Sequence, residues 1–340
     1  MKKIMFFFPL IYIGGTETAL LNLVKKLKGY DVYIGYANDS SDKHMLKELS
    51  KYSKVVNLEK EDNVEVDYLV SCSMRFHLYD IVKKIKRKKT ILWVHQVVNL
   101  TDSILTSTCR NMVDCVVTVS KTISEQLENM FEDLKSKVKT IYNVIDKDAV
   151  VKKSKKHCEL ELSKQLNLVT VARVCNDKGF GRMLVLAKEL KEAGVDFKWY
   201  VIGDNFNKVE ADTIKNSFLE FKDNFVWLGF LDNPHNIVKQ CDYSVLLSSN
   251  ETWGLVLTEA MCLGVPCIST DFEVAFEQIK DKNNGIILSR DNLDSYKDRI
   301  SDIVNNKAKY KASIGEFNYD NDSIICDWNK LLEEMEFVLV

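Results

Sequence analysis

The string Ser248-Ser249-Asn250-Glu251-Thr252-Trp253-Gly254-Leu255-Val256-Leu257-Thr258-Glu259-Ala260-Met261 carries the strongest chemical signal in this sequence. A run of valine and leucine gives way to polar residues, a carboxylate, a glycine and a helix that holds a second carboxylate. The amides of Trp253, Gly254 and Leu255 fall at the helix start. Backbone N–H groups there lack intrahelical partners, and the helix dipole favours an anion. A diphosphate suits such a place. Glu251 stands before the helix, and Glu259 lies more than one turn inside it, where it can accept hydrogen bonds from a diol such as a ribose. The bare spacing fits at least as well a capping carboxylate followed by a solvated helix face.

Two further places could do chemistry. Gly14-Gly15-Thr16-Glu17 forms a tight turn ahead of a helix, where a ligand can approach the backbone; a simple turn reads the same way. It is not a G-x-G-x-x-G fingerprint, so a dinucleotide has no support. His95 closes the apolar run Leu92-Trp93-Val94-His95. A lone histidine there is structural or exposed unless something else places it in a site.

Short apolar runs alternate with helical patterns along the chain, which implies βαβ units and parallel sheets. Strands are expected at Lys3–Phe8, Asp31–Tyr36, Lys54–Leu58, Tyr68–Ser71, Thr90–Val94, Cys115–Val119 and Thr140–Tyr142 in the first half. In the second half they are expected at Leu168–Ala172, Phe197–Ile202, Phe225–Leu228, Tyr243–Leu247, Pro266–Ser269 and Gly285–Ile287. The clearest helices of the first half are Thr18–Lys28 and Ser120–Asn129; the second half has Phe180–Ala193, Val209–Phe221, Ile237–Gln240, Leu255–Leu263 and Phe272–Lys280, then a last one near Asp322–Glu334. Asp146–Gln165 is rich in Lys, Glu and Ser with little apolar periodicity, and reads as a linker. Two doubly wound halves would make a cleft, with ligands at the carboxyl ends of the strands.

With these elements in place, the Glu251–Glu259 string resembles the E-x7-E motif of glycosyltransferase family 4, retaining enzymes of the GT-B fold. Val171-Ala172-Arg173-Val174-Cys175-Asn176-Asp177-Lys178-Gly179 resembles that family's G-R-x-x-x-x-K-G segment, with Ala172 where the family has glycine. Val201-Ile202-Gly203-Asp204, Trp227-Leu228-Gly229-Phe230-Leu231, Cys241-Asp242-Tyr243, Gly264-Val265-Pro266-Cys267-Ile268-Ser269-Thr270, Glu277 and Asn284-Gly285-Ile286-Ile287 continue the likeness in order across Leu168–Leu288. The first half is less similar: Gly14–Glu17 resembles a G-G-x-E segment, and His95 the family's strand-end histidine.

The resemblance implies an α/β GT-B fold of two Rossmann-like doubly wound domains facing across a cleft. The expected boundaries are 1–150 for the acceptor-side domain, 151–166 for a linker, 167–320 for the nucleotide-sugar donor domain, and 321–340 for a C-terminal helix able to cross back to the first domain. It implies that Arg173 and Lys178 contact the donor diphosphate, a cationic pair that lowers the charge of the leaving group. Glu259 would hold the ribose hydroxyls. Glu251 and His95 would face the donor sugar. The backbone of Gly254, Leu255 and Val256, with Trp253, would touch sugar or phosphate, as would Gly14 and Gly15. Phe230 and Leu231 would lie by the base. The implied activity is retaining transfer of a sugar, from UDP-hexose or UDP-N-acetylhexosamine on family frequency, to a glycan or lipid-linked glycan in surface-polysaccharide or capsule synthesis. The alternatives are a GT-B sugar-nucleotide epimerase, or a non-catalytic donor-binding partner subunit.

Composition narrows the partners. The chain has 340 residues, ample for two domains at about 100–200 residues each. Its formal net charge of -2 gives no field for nucleic acid. The 9 cysteines form no C-x-x-C pair and no zinc spacing, so they read as buried small hydrophobes in a reducing cytoplasm. No metal or other cofactor is expected; Asp146-Lys147-Asp148 opens the linker and reads as solvated charge. The apolar run Ile4–Ile13 leads through Gly-Gly into a helix, as a buried first strand does rather than a signal segment. Lys83-Lys84-Ile85-Lys86-Arg87-Lys88-Lys89 is either a solvated helix end or a patch for an anionic membrane face, attracting it by roughly 1 kcal/mol per charge. The expected location is therefore cytoplasmic, with peripheral membrane attachment as an option.

Overall fold

A computed structural model describes residues 1–61, 63–95, 105–158, 160, 162, 165–205, 207–315, 317 and 319–337. The chain divides into two compact units, Met1–Ile145 with Asp320–Val340, and Asp146–Tyr319. Each is built on one parallel sheet.

The first sheet has the order β3-β2-β1-β4-β5-β6-β7. Its strands are β1 (Lys2–Phe8), β2 (Tyr30–Tyr36), β3 (Lys54–Asn57), β4 (Glu65–Ser71), β5 (Lys86–Val94), β6 (Cys115–Thr118) and β7 (Val138–Thr140). The apolar run at the start of the sequence is β1, paired in parallel with β2 and β4, and Ile4, Met5, Phe6 and Phe7 are fully buried. Phe6 packs against Trp93 at 5.8 Å between ring centroids, and Trp328 lies 5.4 Å from Trp93. Trp328 belongs to the final helix, Asn321–Phe337, so this helix completes the core of the first unit. Tyr68 of β4 donates to Leu332 O at 2.8 Å, and Asn321 clasps both backbone groups of Ile145 at 2.7 and 2.9 Å.

The second sheet has the order β10-β9-β8-β11-β12-β13. Its strands are β8 (Leu166–Val171), β9 (Phe197–Ile202), β10 (Phe225–Gly229), β11 (Tyr243–Leu246), β12 (Cys267–Thr270) and β13 (Gly285–Leu288). Near-continuous apolar runs form these strands because helices cover both faces of a parallel sheet. The helix Phe180–Glu192 buries Phe180, Met183, Leu186, Ala187 and Leu190 on one stripe. Trp199, Phe218 and Phe225 fill the same core, with Phe218 and Phe225 4.6 Å apart.

Three readings from sequence need revision. The basic run is a helix end only at Lys83 and Lys84, where the helix Asp80–Lys83 finishes, and Lys86 to Lys89 begin β5. Strand geometry then sends alternate side chains to opposite faces. Arg87 turns inward and donates to Val82 O at 2.8 Å, while Lys83, Lys88 and Lys89 face Asp80, Asp67 and Asp114 at 2.6, 2.7 and 3.5 Å. Much of that charge is answered within the fold. Second, Lys147–Ser154 is a helix of the second unit, although the sequence reads as linker there, and it packs against helices His235–Val238 and Leu255–Cys262. Asp146 caps it, accepting from Ala149 N at 3.1 Å, which accounts for the Asp-Lys-Asp string. Third, Phe272–Lys280 is helical only over Ala275–Gln278.

All nine cysteines are free, and burial pushes the thiols of Cys109, Cys115 and Cys175 up to about 12. Among the described residues no helix is long and apolar enough to cross a membrane.

Candidate functional site

The order of the second sheet reverses between β8 and β11: β9 and β10 continue on one side, β12 and β13 on the other. Loops leaving the carboxyl ends of β8 and β11 therefore part to opposite faces and leave a crevice at that edge. The first loop carries Arg173 to Lys178, and the second carries Ser248 to Gly254. The two are stitched together, since Ser249 N donates to Asp177 O at 2.9 Å.

The crevice brings three polar groups onto one point. Lys178 Nζ lies 2.7 Å from Glu251 Oε1, and Ser248 Oγ donates to that oxygen at 2.8 Å. The side chains of Lys178 and Glu251 are 18% and 16% exposed, so both charges sit where water screens them weakly. Arg173 is different. Its side chain is 60% exposed, and its guanidinium is 3.9 Å from Asp177. It is held loosely at the rim, free to turn toward an anion.

Glycine makes this geometry possible at Gly179, which has a φ of 74°. A Cβ there would lie 1.8 Å from Leu247 O, the carbonyl that follows β11. Only glycine allows the turn to press against the strand end and so deliver Lys178 to Glu251.

The helix Leu255–Cys262 starts after Gly254, also left-handed at a φ of 77°, with no side-chain cap. Its opening amides are thus not satisfied by a capping side chain, and a bound anion can take that place. Trp253 is buried, and its indole donates to Thr258 Oγ1 at 2.9 Å. Thr258 donates to Gln278 at 2.7 Å, and Gln278 Nε2 returns to Trp253 O. The Trp253 side chain is therefore committed to bracing the helix start, and only its main chain can serve a ligand.

Glu259 is on the same helix, with its carboxylate 3.4 Å from His235 Nε2. Phe230 and Leu231 follow β10, and Phe230 is 54% exposed. Residues 173, 178, 230 and 251 thus all lie on loops that leave the carboxyl ends of the second sheet's strands.

Two arginines that sequence reasoning missed grip the loop ahead of Glu251. Arg290 donates to Ser249 O at 2.9 Å and Asn250 Oδ1 at 3.1 Å. Arg182 donates to Arg290 O at 3.0 Å and Ser249 Oγ at 3.2 Å. Neither stands in a motif; the faint signal is an arginine in the first turn of a helix whose first half is otherwise uncharged, and another just past β13.

The first unit holds the remaining candidates. Its sheet reverses between β1 and β4, and Gly14 and Gly15 lie on the loop after β1, where the helix Gly15–Lys26 begins. Glu17 folds back, its carboxylate accepting from Tyr12 N at 3.3 Å. A Cβ at Gly14 would come within 2.9 Å of that carboxylate. His95 follows β5, its ring edge-on to Trp93 at 4.2 Å between centroids. Burial drops its pKa to about 3, so the imidazole is neutral near pH 7.

Comparison with known proteins bears on this geometry. Residues 152–320 match the family model described as glycosyl transferases group 1. The matched stretch covers nearly all of the second unit, Asp146–Tyr319. Among curated proteins, this chain is similar to N-acetyl-alpha-D-glucosaminyl L-malate synthase of Bacillus anthracis, 28% identical over 65% of this chain and 59% of that one. It is also similar to lipopolysaccharide 1,6-galactosyltransferase of Salmonella typhimurium, 22% identical over 88% of this chain and 89% of that one. The chain spans about half the length of other curated relatives it matches, 53% in one case and 42% in another. Among solved structures, Anabaena HepE in complex with UDP and glucose superposes with a TM-score of 0.81 at 15% identity, covering 98% of this chain and 100% of that one. At that identity the likeness speaks for the fold, and the two parallel sheets are those of the GT-B glycosyltransferases. The matched stretch contains Arg173, Lys178, Glu251 and Glu259.

Proposed function

We propose that this protein is a retaining glycosyltransferase of family 4 that moves a sugar from a nucleoside diphosphate donor to a glycan acceptor. The observation that carries the reading is the Lys178–Glu251 pair at the switch point of the second sheet, beside an uncapped helix start. Lys178, Arg173 and the first amides of the helix meet the diphosphate, whose two phosphates need several donors at once. Glu259 takes ribose hydroxyls. Glu251, adjacent to the diphosphate, meets the hydroxyls of the donor sugar. For His95, in the first unit, the family resemblance supports a sugar-facing role, and its neutral imidazole suits hydrogen bonding to a hydroxyl. Phe230 and Leu231 border the base.

As the bond to the diphosphate breaks, positive charge builds at the anomeric carbon and negative charge on the leaving oxygen. Fixed cations and amides stabilise the second of these with little rearrangement. The acceptor hydroxyl then attacks from the face the diphosphate leaves, and its proton passes to a donor phosphate oxygen. These groups answer the donor charge themselves, so transfer is expected to persist in EDTA.

The donor is UDP-hexose or UDP-N-acetylhexosamine. UDP is the nucleotide in the HepE complex and appears with GlcNAc in a pneumococcal O-GlcNAc transferase of similar fold. The acceptor is a lipid-linked glycan of a surface polysaccharide, in keeping with relatives named for lipopolysaccharide and capsular synthesis. The protein would then work in the cytoplasm at the inner membrane face. The test is a panel of nucleotide sugars, read by nucleotide release with and without lipid-linked glycan. One donor whose turnover requires the acceptor supports the reading. A new sugar isomer from donor alone would make the protein an epimerase, and binding without turnover for any acceptor would make it a donor-binding subunit.

A further inference from the structure

His235 opens the short helix His235–Val238, beyond the loop that leaves β10. No motif contains it. Its side chain is 10% exposed, and neither ring nitrogen finds a hydrogen-bond partner among the described residues. A buried imidazole left so is costly and asks for a reason. Its Nε2 lies 3.4 Å from Glu259 Oε2. Among the described residues, Glu259 has no other ion-pair or hydrogen-bond partner.

A carboxylate can only accept, so the tautomer it selects in His235 carries the proton on Nε2. At 3.4 Å the contact is slightly longer than a hydrogen bond, and a small side-chain adjustment brings Nε2–H within reach of the carboxylate. We propose that His235 is a positioning residue for Glu259: its Nε2–H fixes one carboxylate oxygen, so that the other is presented to a ribose hydroxyl of the donor nucleotide. The proposal rests on the reading of Glu259 as the ribose anchor. It makes ribose recognition depend on a side chain that never touches the ligand.

The experiment compares nucleoside diphosphates with their own sugar-modified forms by calorimetry on the full chain. UDP, GDP and ADP are each titrated beside their 2′-deoxy and 3′-deoxy counterparts, into wild type, His235→Ala and His235→Gln. In wild type one deoxy form should bind about tenfold more weakly, the worth of a hydrogen bond to a charged acceptor. In His235→Ala that ratio should collapse toward one, because the ribonucleotide loses affinity and the deoxy form does not. The glutamine amide reaches the place of Nε2 and should restore most of the ratio. An equal loss for both forms, or an unchanged ratio, would mean that His235 only fills space and would overturn the proposal. If His235→Ala melts at assay temperature, His235→Gln is set against His235→Asn, whose amide stops short at the place of Nδ1; equal ratios in the two would also overturn it. Wild type that binds the ribo and deoxy forms alike would remove Glu259 as ribose anchor. Wild type that binds none of the three nucleotides would defeat the donor reading itself, and the proposal with it.

Discussion

Lys178 reaches Glu251 from the neighbouring strand's loop, and the 2.7 Å contact between them closes the crevice edge of the second sheet. Each charge is answered by the other. On the proposed reading, a diphosphate would share Lys178 with Glu251, and phosphate binding would be tied to the orientation of that carboxylate.

Removing one partner leaves the other charge half-buried. Lys178→Met is expected to lower stability by roughly 1–3 kcal/mol and donor turnover by about a hundredfold or more. Lys178→Met combined with Glu251→Gln should regain stability without regaining turnover. Urea unfolding and nucleotide release measure the two effects separately. Stability losses that simply add in the double variant would show that the pair is not coupled.

Gly179 and Gly181 make a matched contrast in one short segment. Gly179→Ala places a methyl against Leu247 O at a left-handed φ of 74°, and should cost on the order of 3–5 kcal/mol. Gly181→Ala meets nothing within 4 Å inside a helix and should stabilise by about 0.5–1 kcal/mol. Thermal melts of the two variants should move in opposite directions.

Arg290 holds the loop before Glu251 by two separate acceptors, Ser249 O and Asn250 Oδ1, and also faces Glu273 at 3.5 Å. A point charge cannot reproduce a planar fork. Arg290→Lys should therefore lose about tenfold or more in kcat/KM, nearly as much as Arg290→Gln, while the far-UV spectrum stays unchanged. Full activity in the lysine variant would show that charge alone suffices.

His95 makes stability depend on acid. Its folded pKa is lowered to about 3 from the ordinary 6.5, so between those values the unfolded chain binds a proton that the folded chain refuses. Stability is then complete above about pH 6.5 and falls as pH drops toward 3, by at most about 1.4 kcal/mol per pH unit. Part of the His95 surface is still exposed, so the slope should be shallower than that limit. His95→Gln should flatten the curve between pH 6.5 and 4 relative to wild type. Parallel curves would show that the histidine is already charged in the folded protein.

Most strands were legible because they are short runs of mainly aliphatic or aromatic residues, such as Ile4–Phe8 and Phe197–Ile202, set between polar or glycine-containing stretches. The Glu251–Glu259 string was legible because its glycine, tryptophan and two glutamates stand at fixed offsets. The basic run misled because Lys86–Lys89 counts as solvated charge in a composition reading, whereas alternation along β5 turns Arg87 inward to backbone carbonyls. Lys147–Ser154 was hidden by its lysines, since only Val150 along it is buried. Arg182, Arg290 and His235 lay beyond sequence reasoning for a shared reason. Each acts through residues 24 to 108 positions away, and nothing local marks such partners.

The closing helix Asn321–Phe337 seats Trp328 among the aromatic rings around β1. A ribosome therefore emits the whole of the second unit before the first can finish its interior. During synthesis Phe6 and Trp93 of the earlier sheet wait for Trp328 to arrive. Losing the last twenty residues would injure the portion of the molecule made first.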